Sequence, residues 1–412
     1  MSLFVRLIVV VSVLLFCWTE YIQAFTPLGY KVVHQPRLVS RSQHQRLFLS
    51  QERKIHPAIP VPGKTTEQSQ AEYLQNYKQS IEDPNTFWAK QANQYLSWFT
   101  PFSKTFEGDF PSASVKWFEG GKLNACYNAI DRHVATKGNE PALIWEGDEP
   151  GNTKKITYAE MQEEVSKIAN VMKAQGVKKG DVVTIYMPMI PQLPMVMLAC
   201  ARIGAIHSVV FAGFSAEALK DRIKDCKSKW VFAADEGKRG GKAIKLKQIA
   251  DDAIAQCPDV KKLFVFKRTG AEVKFNADRD LWMEDLLPSA SSQCPVEVMD
   301  SEDPLFIIYT SGSTGKPKGV VHSTAGYLLY TTMAAKNTFD LRENDVFCSV
   351  ADCGWITGHS YVVYGPLTNG ITATMFESIP TYPDPYRYWD LIQSIKATHF
   401  YTAPTAIRAL MR

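Results

Sequence analysis

Between residues 156 and 234 the chain alternates between helical patterns and short apolar runs, and this alternation restricts the folds that it can adopt. Apolar residues at helical spacing follow Thr157 and Glu160, which match a capping box. Continuous apolar runs such as VVTIYM and WVFAA are typical of buried strands. Strands that are buried on both faces and separated by helices form parallel sheets. We therefore expect an α/β fold of mostly parallel sheets flanked by helices.

The charge of the chain is concentrated in its first residues. Residues 1–57 contain seven Lys and Arg against two acidic residues, whereas the rest carries 39 Lys and Arg against 40 Asp and Glu. A nucleic-acid-binding domain has a clustered excess of positive charge. We therefore expect no nucleic-acid partner, and the sequence gives no indication of an oligomeric state.

The eight cysteines are scattered, and none of them forms a C-x-x-C pair. Zinc sites and disulfide frameworks both need closely spaced Cys or His residues. We therefore predict no metal site and no disulfide framework, as is usual in a reducing compartment.

The first 57 residues have the composition of targeting segments. Arg6 precedes an apolar run at 7–18 that is typical of a signal peptide, here expected at 1–24. Residues 25–57 are basic and poor in acids, as in transit peptides. The pair resembles the two-part presequence of algae with secondary plastids. This resemblance implies a plastid location and no membrane segment in the mature form, with the secretory pathway as the alternative.

A loop rich in glycine and hydroxyl residues, YTSGSTGKPKGVVH, follows the strand-like run LFIIY. Such a loop can turn its N–H groups toward phosphate oxygens, and its two lysines add positive charge. It is not a Walker loop, because its glycine spacing differs and Pro317 blocks the helix that follows a Walker lysine. The candidate phosphate-binding residues are Thr310, Ser311, Gly312, Ser313, Thr314, Gly315, Lys316 and Lys318.

Four further stretches support a family resemblance. They are FWAKQANQYLSWFTPF, ADEGKRGGK, SVADCGWITGHSYVVYGPL and FESIPTYPDPYRYW. Taken alone, the second stretch is more typical of a solvated loop than of an anion site. Together with the loop they resemble the adenylate-forming superfamily and, within it, the acetyl-CoA synthetases. The resemblance covers residues 58–412 and implies the large N-terminal domain of that fold, with an aromatic-rich segment at 58–145 and an AMP-binding domain at 146–412.

The resemblance also assigns site residues. In acetyl-CoA synthetases the residues matching Ile356 and Thr357 line the acetate pocket, in a segment that we expect to be a strand. Family members commonly have Gly where this chain has Ala212. They commonly have Asn at the position of Thr381. The residues that the resemblance places at coenzyme A are Phe211, Arg239, Gly240, Gly241, Lys242, Thr357 and Thr381.

The implied activity is that of an ATP-dependent, AMP-forming acyl-CoA ligase, with ATP and Mg²⁺, acetate and coenzyme A as its small-molecule substrates. Acetate attacks the α-phosphorus of ATP to give acetyl-adenylate and pyrophosphate, and the CoA thiol then displaces AMP. Thr357 favours acetate, because propionyl-CoA synthetases commonly have Val there. Two alternatives stay open: a propionyl-CoA or other short-chain synthetase, and a non-catalytic nucleotide- or CoA-binding fragment.

The resemblance also implies that this chain is C-terminally incomplete. The adenylation lysine and the small C-terminal domain of the family have no counterpart among these 412 residues, so we assign no catalytic residue. We therefore expect the chain as written to have little or no synthetase activity. Acetate-dependent ATP–pyrophosphate exchange by purified residues 58–412 tests this expectation, and robust exchange would contradict it.

Overall fold

The computed structural model describes residues 64–109, 111–310 and 317–411. The expected signal and transit segments lie outside these residues, as do positions 311–316 of the glycine-rich loop. Among the described residues, 64–87 belong to one compact unit and those from Trp88 onward belong to another. The first unit contains helix α1, Thr66–Glu82, whose N-terminus is closed by a capping box between Thr65 and Gln68.

Strands are numbered in chain order. They are β1 Lys104–Asp109, β2 Ser114–Glu119, β3 Lys122–Leu123, β4 Pro141–Glu146, β5 Thr153–Thr157, β6 Val182–Tyr186, β7 Ile206–Val209, β8 Trp230–Ala234, β9 Gly237–Arg239, β10 Lys242–Ile244, β11 Lys262–Phe266, β12 Asp280–Trp282, β13 Met299–Asp300, β14 Pro304–Thr310, β15 Lys318–Ser323, β16 Val346–Ser349, β17 Thr372–Phe376 and β18 His399–Tyr401.

The helices that follow α1 are also numbered in chain order. They are α2 Pro84–Tyr95, α3 Arg132–Lys137, α4 Tyr158–Ala174, α5 Gln192–Arg202, α6 Ala216–Asp225, α7 Leu246–Ile254, α8 Met283–Leu286, α9 Thr324–Phe339, α10 Ile356–Gly358, α11 Gly365–Thr368, α12 Arg387–Ser394 and α13 Pro404–Leu410, with π-helical turns at Tyr127–Asp131 and His359–Tyr364 and a 3-10 turn at Leu287–Ser289.

Two mostly parallel sheets form the framework of the larger unit. One has the strand order β12-β11-β8-β6-β7-β14-β15, and the other has the order β18-β16-β17-β4-β5. All neighbouring strands in these sheets are parallel except β15 and β5, which run antiparallel to β14 and β4. The predicted fold class is therefore confirmed. Because ligands of such sheets bind beyond the carboxyl ends of the strands, this topology indicates which edge carries the site.

The local predictions that rested on clear patterns are also confirmed. Thr157 and Glu160 form the predicted capping box of α4, and the WVFAA run forms β8. The predicted apolar face of α4 is buried, and every residue of α5 after Gln192 is buried as well. A helix that is buried all round belongs inside the domain, and residues of α5 are part of the main apolar core.

The stretch at 349–367 differs from the expected strand. Strand β16 ends at Ser349, and the chain then forms α10, a π-helical turn and α11. Tertiary contacts explain the difference, since the Ser360 carbonyl accepts a hydrogen bond from Thr331 of α9 at 3.1 Å. A Cβ on Gly365 would lie 2.4 Å from the Ser360 carbonyl oxygen, so the close-packed turn needs glycine there. This packing overrides the β-branched composition that is typical of a strand.

A buried ion pair ties the end of α5 to the first π-helical turn. Arg202 donates two hydrogen bonds of 2.9 Å to the Asp131 carboxylate and one of 2.6 Å to the Cys294 carbonyl. The two charged side chains are only 6% and 11% exposed. Removing one partner of such a pair leaves an uncompensated charge in the protein interior.

We expect Asp131→Asn to lower the free energy of unfolding by about 3–5 kcal/mol, because Arg202 then stays buried without its counter-charge. Urea denaturation of the full chain measures the effect. The matched control is Glu107→Gln, which breaks a half-exposed pair with Lys104 and should leave the unfolding midpoint unchanged. Equal midpoints for wild type and Asp131→Asn would contradict the prediction.

Candidate functional site

The candidate site is built from the segments that follow β4, β7, β8, β16 and β17. Within each sheet these strands run in the same direction, so their carboxyl ends lie at a common edge of that sheet. Side chains after the strands of one sheet contact segments that follow the strands of the other. The site therefore lies where the two sheets meet.

Phe211 and Trp355 form an aromatic platform. Their ring centroids are 4.6 Å apart, and the guanidinium carbon of Arg239 lies 5.2 Å from the Phe211 centroid. Gly354 permits the packing, because a Cβ there would lie 2.8 Å from the Phe211 backbone. The structure thus brings together Phe211 and Arg239, which the sequence assigned to one ligand. A flat ring beside a cation suits the face of a purine.

Arg239 makes one long ion-pair contact with Asp352, which lies in the segment after β16. Its Nη1 lies 3.5 Å from Oδ2 of Asp352, and its side chain is 38% exposed. Burial raises the pKa of the Asp352 carboxyl, while the N–H of Gly354 and the charge of Arg239 act in the opposite direction. A single long contact leaves other N–H groups of the guanidinium able to bind an anion.

Strands β9 and β10 form a hairpin that presents two basic residues. Its turn consists of Gly240 and Gly241, with φ angles of 61° and 77°. Two successive positive φ angles make a type I′ turn, which glycine adopts without strain. Arg239 and Lys242 pair directly across the hairpin, so their side chains lie on one face. Lys242 is exposed and has no ion pair within the described part of the chain.

The N–H groups of this turn are already occupied by an internal acid. Gly240 and Gly241 donate to Oδ1 and Oδ2 of Asp148 at 2.6 and 2.8 Å, and the Ser378 hydroxyl donates to Oδ1 at 2.6 Å. Asp148 is fully buried. The two glycines therefore shape the hairpin, and their N–H groups are not available to an external phosphate.

Two more buried acids fix the segments around Asp148. Glu377 accepts hydrogen bonds of 2.9 and 2.7 Å from Arg268, and Glu146 pairs with Arg387 at 2.9 Å. Glu377 also accepts the N–H of Asp148 at 3.2 Å. Burial raises the pKa of Glu377 and the Arg268 charge opposes that shift, while the bonds to Glu377 raise the pKa of Arg268.

Sequence reasoning missed these anchoring residues. Glu377 follows β17 directly and Asp148 lies two residues after β4, and polar residues at that place in a parallel sheet are candidates for the site edge. That signal was present in PALIWEGD and TATMFE. Arg268 lies in a stretch that carried no recognisable motif.

The turn from Trp355 to Thr357 carries the residues predicted for the acid substrate. Trp355 and Ile356 are 47% and 40% exposed, and Thr357 is partly buried. Since Trp355 also belongs to the aromatic platform, the predicted acid-binding and CoA-binding residues are neighbours in space.

His359 packs behind this turn. It is fully buried against Phe306 and His207, with centroid distances of 4.6 and 5.2 Å. Its Nδ1 lies 3.1 Å from the Trp355 carbonyl, while its Nε2 has no partner among the described residues. Burial lowers its pKa to about 4. The ring is therefore neutral at pH 7 and carries its proton on Nδ1, because a carbonyl only accepts.

Thr381 lies beside the hairpin. It is exposed, and the neighbouring Tyr382 packs its ring on the turn, since a Cβ on Gly241 would lie 2.7 Å from that ring. The Tyr382 hydroxyl donates to Glu149 at 2.9 Å. Thr381 is thus close to the basic hairpin, as its predicted role requires.

The glycine-rich loop begins and ends on a pair of antiparallel strands. Thr310 at the end of β14 pairs with Lys318 at the start of β15, and both are exposed. The predicted residues Ser311 to Lys316 lie outside the described ranges. The base of the loop is anchored by Tyr309, whose hydroxyl donates to Asp225 of α6 at 2.6 Å.

Within the described ranges, no group of three or more His, Cys, Asp or Glu side chains is placed to hold a metal ion. In the same part of the chain, no helix has the length and apolar character that crossing a bilayer requires.

Two known families match the sequence. The family described as AMP-binding enzyme matches residues 130–412, and the family described as acetyl-coenzyme A synthetase N-terminus matches residues 73–129.

Individual relatives agree with these matches. The acetyl-coenzyme A synthetase of Halorhodospira halophila is 51% identical over 360 residues, which are 87% of this chain and 56% of that protein. The acetyl-coenzyme A synthetase of Alcanivorax borkumensis is 55% identical over 357 residues, covering 87% and 55% of the two chains. The solved structure of acetoacetyl-CoA synthetase from Streptomyces lividans has a TM-score of 0.76 at 27% identity, covering 84% of this chain and 52% of that one. The chain spans about half the length of the curated relatives it matches.

The buried His359 predicts a loss of stability in mild acid. Its pKa is about 4 in the folded chain against an ordinary 6.5, so the unfolded chain binds a proton first as the pH falls. Its contribution is complete above pH 6.5 and declines between pH 6.5 and 4. When the pH is lowered from 7.5 to 5, we expect the free energy of unfolding to fall by about 2 kcal/mol less in His359→Gln than in the wild type. Urea denaturation at the two pH values measures this difference.

The control for this experiment is Leu329→Ala, which opens a buried apolar site without removing a titratable group. It should lower stability equally at both pH values. If His359→Gln and the wild type lose the same stability on acidification, the assignment of this pH dependence to His359 is wrong.

Proposed function

The chain belongs to the AMP-binding enzyme family, and on that basis we propose that it serves the formation of acetyl-CoA from acetate, ATP and coenzyme A by way of acetyl-adenylate. One observation carries the proposal. The aromatic platform with Arg239 and the turn that presents Ile356 and Thr357 share Trp355. A site that joins an acid to a thiol needs the two substrates side by side, and this arrangement provides neighbouring places for them.

The basic hairpin supports binding of the phosphates of CoA. Arg239 and Lys242 lie on one face of the hairpin, and neither is tied by a short ion pair to another described residue. The ring of Phe211 beside Arg239 offers a stacking surface for adenine. We propose that these three residues recognise the nucleotide end of CoA, with Thr381 at the rim.

The turn at Ile356 supports a small acid as the partner. Ile356 presents an exposed aliphatic side chain next to the platform, and Thr357 adds a hydroxyl. A bulky aliphatic residue shortens an apolar pocket, and one methylene changes binding by about 1–3 kcal/mol. We propose acetate as the acid. A propionyl-CoA or other short-chain synthetase is the alternative, and comparing acetate with propionate as substrates distinguishes them.

The glycine-rich loop supports binding of ATP with Mg²⁺ as the nucleotide substrate. Thr310 and Lys318 stand at its two ends, and Tyr309 fixes its base on α6. From this base a series of contacts leads to the platform. The Arg222 guanidinium lies 5.4 Å from the centre of the Tyr309 ring and 4.8 Å from the centre of the Phe214 ring. The Phe214 ring centre in turn lies 5.5 Å from that of Phe211. The loop would position phosphate groups and stabilise their charge, which is the main requirement of adenylation.

We predict that the full chain binds CoA and that Arg239→Gln weakens this binding about tenfold, because a charge-assisted hydrogen bond to phosphate is lost. Isothermal titration calorimetry with CoA gives the dissociation constants. The matched control is Arg342→Gln, which removes the same charge near the start of β16, at the other end of that strand from the site.

Arg342→Gln should bind CoA as the wild type does. Equal losses in the two variants would show a general charge effect and no specific contact. A wild-type chain that does not bind CoA contradicts the proposed CoA site.

A further inference from the structure

We propose that Asp148 is a positioning residue for CoA: its buried carboxylate acts as an internal anion beneath the Gly240–Gly241 turn and sets the placement of Arg239 and Lys242. This inference rests on the proposed function, because it concerns the two basic residues proposed to bind the phosphates of CoA.

The donors around Asp148 form a complete anion site. Two successive N–H groups of the turn and the Ser378 hydroxyl surround the carboxylate at 2.6 to 2.8 Å. Successive N–H groups in a left-handed turn make a concavity that binds anions. Here a side chain of the protein fills that concavity, so the turn is fixed before any ligand arrives.

The same contacts cross from one sheet to the other. Asp148 follows β4 of the five-stranded sheet, whereas the hairpin follows β8 of the seven-stranded sheet. The backbone of Asp148 is itself held by Glu377, which follows β17. The position of Arg239 is therefore set relative to the segments that carry Asp352 and Ile356, and not only relative to its own strand.

Two effects of removing the Asp148 charge have opposite signs. A negative charge beneath a basic hairpin repels a phosphate, so its loss alone would tighten CoA binding. If the carboxylate positions the hairpin, its loss frees the turn and CoA binding becomes weaker, because ordering the two basic side chains then opposes binding. The direction of the change in CoA affinity therefore distinguishes positioning by Asp148 from simple repulsion between its charge and the phosphates.

The test uses calorimetric titration of the full chain with CoA. Asp148→Asn keeps the size of the side chain but turns an amide NH₂ toward a turn N–H, and we expect the dissociation constant to rise about tenfold. The control is Glu149→Gln, which removes an exposed charge one residue away but keeps an oxygen that can accept from the Tyr382 hydroxyl, and it should leave the affinity unchanged or slightly higher. Tighter binding or no change in Asp148→Asn would overturn the inference.

A double-mutant cycle separates positioning from general damage to the fold. In a chain that already carries Arg239→Gln and Lys242→Gln, Asp148→Asn should have no further effect on CoA affinity, because the residues that it positions are gone. An undiminished additional loss in that background overturns the inference.

Ser378→Ala provides a second route if Asp148→Asn does not fold. It removes one hydroxyl donor from Asp148, and we expect about a threefold weaker affinity in a chain that is still folded at the temperature of the titration. Unchanged affinity in this variant counts against the inference while the proposed function stands. A wild-type chain without CoA affinity overturns both.

Discussion

Buried acids at the carboxyl ends of β4 and β17 hold the two sheets together at the edge where the candidate site lies. Glu377 reaches Arg268 after β11, and Asp148 reaches the hairpin after β8. Apolar packing keeps the sheets in contact, but it has no direction. Hydrogen bonds to buried charges do have direction, so they fix how the loops of one sheet stand against those of the other. Replacing such pairs by apolar residues often costs no stability, which indicates that their value here is geometric.

The candidate anion site depends on this geometry more than on its total charge. Arg239 has Asp352 at 3.5 Å, and the hairpin that carries it rests on Asp148. Two acids therefore lie close to the two cations, and the local positive field is modest. Affinity for a phosphate must then come from directed hydrogen bonds, which require the guanidinium and the ammonium to be in place beforehand. The Gly240–Gly241 turn serves that placement by admitting a tight hairpin over a buried carboxylate.

The sequence patterns predicted those features of the fold that depend on residues close together in the chain. The capping box at Thr157, strand β8 and the parallel α/β class all follow from short-range composition and period. The pairing of Phe211 with Arg239 was implied by family resemblance, since their positions in the chain give no sign of contact. The role of Asp148 could not be predicted from the sequence, because its hydrogen-bond partner Gly240 is 92 residues away in the chain. The helical turn at 359–364 was missed for the same reason: contacts with α9 decide its conformation, and its own residues favour a strand.

Trp355 links the two halves of the candidate site. Its ring packs on Phe211, and its carbonyl accepts a hydrogen bond from the neutral His359 behind it. A turn that is held on both sides cannot shift toward one ligand without moving the surface offered to the other. If an acid binds beside Ile356 and a nucleotide on Phe211, as proposed, the fit of one is therefore mechanically coupled to the fit of the other. Under the proposed function, such a site would gain selectivity for a small acid from contacts that the much larger CoA makes, because binding energy from remote groups can position the reacting ones.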